Sequence, residues 1–151
     1  MSQWKAVDEV LDFAIDREQE AHDFYVDLAR KVDMPWMKAT FEEFAKEEAG
    51  HKAKIQGLKQ GKKLQTSEKK VLDLKIGDYL VDVTPSENMD YQDALVLAMQ
   101  REKAAFRLYS DLARQSIDDS VRTLFLGLAQ EEARHKLRFE VEYDDRVLKE
   151  N

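Results

Sequence analysis

The sequence contains no cysteine. That absence excludes disulfides, thiolate nucleophiles, iron–sulfur clusters and cysteine-bound zinc. Five glycines and two prolines in 151 residues leave few turn-formers for a sheet protein of many short strands. No run approaches the ~18 apolar residues that a membrane span needs. The first residues, Met1 to Lys5, lead into an amphipathic pattern with Asp8, Glu9 and Asp12 rather than an apolar secretion segment. Positive charge is also in short supply: 24 Lys and Arg stand against 31 Asp and Glu, a net charge of -7. Such a chain lacks the basic surface that displaces counterions from phosphates, so nucleic acid is not an expected partner. A soluble, cytoplasmic protein is the expectation. What is abundant is a mixture of 43% apolar and 36% charged residues, the composition of long amphipathic helices. The length suits one domain over 1–151 with a substantial core.

The chain repeats itself. Displaced by 84 residues, positions 11–52 align with 95–136 without a gap, and 17 of those 42 pairs are identical, where chance gives roughly two or three at average composition. The identities include Arg17/Arg101, Glu18/Glu102, Ala21/Ala105, Tyr25/Tyr109, Glu47/Glu131, Glu48/Glu132 and His51/His135. Each unit reads as a helical hairpin. Val7, Leu11, Ala14, Glu18, Ala21, Tyr25 and Leu28 follow alternating +4 and +3 steps, the stripe of one helix face. After a break at Asp33-Met34-Pro35, the residues Met37, Phe41, Phe44, Glu48, His51, Ile55 and Leu58 resume it. The second unit gives Tyr91, Leu95, Ala98, Glu102, Ala105, Tyr109 and Leu112, then Val121, Phe125, Leu128, Glu132, His135 and Phe139. The pattern predicts helices at about 4–32, 35–60, 90–115 and 119–148, hence an all-α four-helix bundle of two duplicated hairpins. Residues 61–88 form the connector, long enough for a crossover that retraces a helix. A homodimer is expected, and exchange of hairpins between chains is an alternative to the crossover.

Four glutamates and two histidines occupy the apolar stripe itself: Glu18, Glu48, His51, Glu102, Glu132 and His135. Glu18 precedes and Glu48 follows the Asp33-Met34 turn by nearly the same number of residues, so in an antiparallel hairpin they lie within about one residue, ~1.5 Å, of the same level. The repeat gives Glu102 and Glu132 the same relation, and each histidine follows its glutamate by three residues, on the same face. Ordinary solvated acids explain Glu9, Glu20, Glu42, Glu43, Glu47 and Glu131, which lie off the stripe. They do not explain the other four, since clustered buried carboxylates cost several kcal/mol each when unpaired. Two divalent cations neutralise four carboxylates. Oxygen ligands with two imidazoles and no sulfur suit iron or manganese, with zinc possible, and the set fits a carboxylate-bridged pair of metals.

The order Glu, Glu-x-x-His, Glu, Glu-x-x-His resembles the di-iron carboxylate site of the ferritin-like superfamily. Glu18…Tyr25 with Glu48-Ala49-Gly50-His51, and Glu102…Tyr109 with Glu132-Ala133-Arg134-His135, are similar to rubrerythrins and bacterioferritins. The resemblance implies a ferritin-like bundle with two iron ions, bridged by Glu48 and Glu132. Glu18 and Glu102 would then be terminal ligands, and His51 and His135 would each bind one ion. It implies a redox protein that reduces hydrogen peroxide, or uses oxygen to oxidise iron(II), with a separate electron-donor protein; the alternative is a non-catalytic metal-binding protein. Rubrerythrins proper add a four-cysteine rubredoxin domain and an extra carboxylate on the third helix, whereas here Glu102 is flanked by Arg101, Lys103, Ala104 and Ala105. The match is therefore to a stand-alone, symmetric rubrerythrin-like domain.

Tyr25 and Tyr109, one heptad beyond Glu18 and Glu102, are read as donors that orient a glutamate of the opposite hairpin. His22 has Phe106 as its repeat partner, so the symmetry gives it no ligand role. Arg17 and Arg101 flank the site, either balancing its charge or simply solvated. Trp4, Trp36 and the methionines are read as packing.

Overall fold

The computed structural model describes residues 7–61, 79–81, 89–116 and 118–148, with the side chains of residues 147 and 148 left aside. Four helices account for most of them: α1 (Val7–Lys31), α2 (Pro35–Gly61), α3 (Tyr91–Gln115) and α4 (Asp119–Tyr143). Among the described residues there is no strand. The expected start of α1 at residue 4 and almost all of the 61–88 connector lie outside these residues.

Local chemistry sets the ends. Pro35 opens α2, where its missing N–H costs nothing and its fixed φ suits the first turn. Asp90 caps α3 by accepting from the Asp93 amide at 2.8 Å. Asp118 caps α4 by accepting from Ser120 and Val121 at 2.8 and 3.2 Å. In α1, Asp8 and Glu9 occupy the first turn and Arg30 and Lys31 the last, charges of the sign that the helix dipole favours at each end. The α-helical ladder of α4 stops at Tyr143 and passes into a π-helical turn, Asp144–Leu148, where a helix continuous to 148 was expected.

Helices α1 and α2 pack as one hairpin and α3 and α4 as the other. The apolar stripes meet in two buried clusters. One joins Val10, Leu11 and Ala14 of α1 and Ile55 and Leu58 of α2 to Leu108, Tyr109 and Leu112 of α3 and Val121, Phe125 and Leu128 of α4. The other joins the far end of α1 and the start of α2 to the start of α3 and Phe139 of α4. Each cluster thus takes the open end of one hairpin and the turn end of the other, so the two turns lie at opposite ends of the bundle. The aromatic contacts repeat with the sequence. Tyr25 stacks on Phe41 with centroids 6.1 Å apart, and Tyr109 stacks on Phe125 at 6.1 Å. Phe139 and Phe44 extend the first group. Tyr79 of the connector is buried in the first cluster and donates to Asp111 at 2.5 Å.

Candidate metal centre

Between the two apolar clusters lies a polar layer made of the six residues singled out by the repeat. Glu18, Glu48, His51, Glu102, Glu132 and His135 are all at most 2% exposed. They come from all four helices at one level, as the spacing about each hairpin turn requires. Their atoms fall into two overlapping groups, Glu18, Glu48, His51 and Glu132 in one and Glu48, Glu102, Glu132 and His135 in the other. Within each group the candidate ligand atoms lie within 4.8 Å of one another. Glu48 and Glu132 belong to both, and the two imidazole centroids are 6.4 Å apart.

His51 Nδ1 lies 3.0 Å from Glu18, 3.2 Å from Glu132 and 3.3 Å from Glu48. These approaches are close but misaligned for hydrogen bonds. Nδ1 of His51, Oε2 of Glu18 and both oxygens of Glu48 and of Glu132 are buried with no hydrogen-bond partner among the described residues. His135 Nδ1 lies 3.0 Å from Glu102 and 3.6 and 3.8 Å from Glu48 and Glu132. Buried polar atoms left unpaired are rare and costly, and here they point at one another. A divalent cation in each group would satisfy them at once.

The protonation energetics agree. Burial, then the negative charge of Glu48, raises the Glu18 carboxyl to about 8. The same causes raise Glu102 to about 7. Glu132 is raised well above the usual range by burial and by Glu102, Glu48 and Glu18. Burial pulls His51 down, but its approach to Glu132, Glu18 and Glu48 outweighs that and its pKa rises. The layer therefore takes up protons when no other cation neutralises it.

The tyrosines reach across the bundle. Tyr25 donates to Glu102 Oε1 at 2.7 Å and Tyr109 to Glu18 Oε1 at 2.9 Å. Burial and the carboxylates around them push both hydroxyls well above their ordinary pKa, so each stays protonated and acts as a donor. The repeat and the heptad spacing sufficed to single out this pair.

Glu47 and Glu131 require a correction. They are not ordinary solvated acids: Glu131 Oε2 lies 2.8 Å from His51 Nε2, and Glu47 Oε1 lies 3.4 Å from His135 Nε2, each across the hairpin interface. A carboxylate behind a ligating imidazole fixes its tautomer and raises its basicity. Their identity in the repeat was the available signal. Glu142, only 3% exposed, was also missed; it accepts from Tyr91 at 2.6 Å and continues the α4 stripe three residues past Phe139. His22 is partly exposed and meets Asp23 at 3.0 Å, away from the layer.

Beside the four glutamates is a cavity of about 50 Å³, also lined by Arg17, Ala21, Arg101 and Ala105, with room for a few water-sized molecules. The guanidinium of Arg17 lies over Phe13 and that of Arg101 over Phe24, at 4.7 and 4.9 Å. Both arginines therefore hold positive charge at the edge of the site. Trp36 packs less than expected: it is 47% exposed, with Arg146 at 5.2 Å over its ring.

Residues 9–143 match the family model for rubrerythrin. The fold is similar to that of a hypothetical protein from Pyrococcus furiosus, with a TM-score of 0.75 and 26% identity over 92% of this chain and 89% of that one. It is also similar to a Thermotoga maritima protein described as a putative ferritin-like diiron-carboxylate protein, with a TM-score of 0.75 and 20% identity over 97% and 99% of the two chains. No curated protein sequence matches this one.

Proposed function

Because the chain belongs to the rubrerythrin family, we propose that its polar layer holds two iron ions and that the pair reduces hydrogen peroxide. The observation that carries this reading is the pair of carboxylates shared by both ligand groups. Glu48 and Glu132 are buried with all four oxygens unpaired among the described residues, and both residues would help to hold either of two cations. Glu18 and His51 would complete one position, Glu102 and His135 the other. Oxygen and imidazole donors without sulfur suit iron, and manganese or zinc could compete for the same ligands.

When bound, an iron pair would supply the two electrons that, with two protons, are needed to convert one peroxide to two waters. The protein's own groups prepare that event. Tyr25 and Tyr109 hold Glu102 and Glu18 in place by hydrogen bonds. The apolar clusters on either side exclude bulk water from the layer. The small cavity beside the glutamates has room for molecules of the size of peroxide or oxygen. With no cysteine for a rubredoxin-type centre in this sequence, electrons for repeated turnover would come from a separate donor protein.

Stopped-flow mixing of the iron(II)-loaded protein with each oxidant tests the reading. Peroxide is expected to oxidise the site faster than oxygen, with one turnover unless a donor is added. Faster reaction with oxygen would replace peroxide reduction by iron(II) oxidation. Loss of both reactions would leave a metal-binding role alone.

A further inference from the structure

The two halves of the site are not equal, and the difference lies in the residues behind the histidines. His51 Nε2 has Glu131 at 2.8 Å, and among the described residues no lysine or arginine forms an ion pair with that carboxylate. His135 Nε2 has Glu47 at 3.4 Å, and the same Oε1 oxygen of Glu47 also accepts from the Arg134 guanidinium. The origin is one position in the repeat: Arg134 is matched by Gly50. The second half compensates with packing, since Phe44 stacks on the His135 ring at 3.8 Å and 20°, whereas Phe44 is matched by Leu128 in the repeat.

A carboxylate that accepts strongly from the far nitrogen makes an imidazole a better electron donor to a cation on its other side. A guanidinium bound to that carboxylate draws charge away and weakens the effect. We propose that the Gly50/Arg134 difference makes the two metal positions unequal: Glu131 strengthens ion binding at the His51 position, while Arg134 mutes the same contribution from Glu47 at the His135 position. The proposal rests on the reading of the six residues as metal ligands.

Chelator competition for cobalt(II), bound to the full chain and to four variants, tests it. Glu131→Gln is expected to lower the affinity about 10- to 100-fold, the usual cost of losing a partner behind a ligand, and Glu47→Gln several-fold less. Gly50→Arg is the sharper variant. A Cβ at Gly50 meets nothing within 4 Å, and by the internal symmetry its guanidinium stands to Glu131 as that of Arg134 stands to Glu47. The substitution removes a helix-interior glycine and so should raise helix stability while lowering cobalt affinity, a combination that a purely structural role does not give. Arg134→Gly should raise the affinity. An equal or larger loss in Glu47→Gln than in Glu131→Gln overturns the proposal, as does an unchanged affinity in Gly50→Arg. If the unaltered chain binds no cobalt(II), the metal reading itself fails. These results remain distinguishable because the variants are compared only against a parent that binds.

Discussion

Each histidine of the layer faces three glutamates from one side and a fourth from the other, so removing one ring changes the environment of both proposed ions. In His51→Ala the proposed position with Glu18 would lose its nitrogen ligand, and Glu48 and Glu132 would have less positive charge between them. Both ions should be lost together, as metal analysis of the purified variant would show; retention of two tightly bound ions would count against the shared site. At this scale the sequence was informative where polar side chains lay on the buried stripe. The four glutamates, two histidines and two tyrosines were legible because an acid or phenol in an apolar stripe needs a partner. Glu47 and Glu131 were not, because an off-stripe acid looks solvated until the opposite hairpin is in place.

At the scale of the element, the helices owe their positions to aromatic and aliphatic stripes that flank the polar layer. Phe125 is fully buried and stacked on Tyr109, which in turn donates to Glu18. Phe125→Ala should therefore destabilise the fold by about 3–5 kcal/mol and also loosen the tyrosine. Denaturant unfolding would measure the first effect and weaker metal retention the second. Helix registers and the α2 start were readable from periodicity and from Pro35. The π-helical turn after Tyr143 was not: the apolar stripe ends at Phe139, and its next position is Glu142, which is buried, held by Tyr91 and 3.7 Å from Arg138.

For the whole molecule, the metal-free state is governed by its buried charge. The Glu18 carboxyl is raised from 4.5 to about 8 and that of Glu102 to about 7, so the folded protein holds protons that the unfolded chain has released. Their contribution to stability is complete below about pH 4.5 and is lost as pH rises through about 7 to 8. The metal-free protein should melt at a higher temperature at pH 5 than at pH 8. Added metal should remove most of that dependence by replacing the protons. A flat profile without metal would mean that the layer is not charged as described.

The bonds that organise the centre have a direction in the chain: Tyr25 to Glu102, Tyr109 to Glu18, His51 to Glu131 and His135 to Glu47 all run from one hairpin to the other. Neither half can assemble a complete position alone, because each position needs ligands from both. Docking of the hairpins therefore creates the proposed binding site, and ions bound there would act as rivets between halves whose internal contacts are local and quick to form. Release of metal and separation of the hairpins should then be one cooperative event. In a thermal melt of the loaded protein, the metal signal and the near-ultraviolet signal of the buried tyrosines should change at the same temperature, and early escape of metal from an intact bundle would show that the rivets can be drawn without parting the halves.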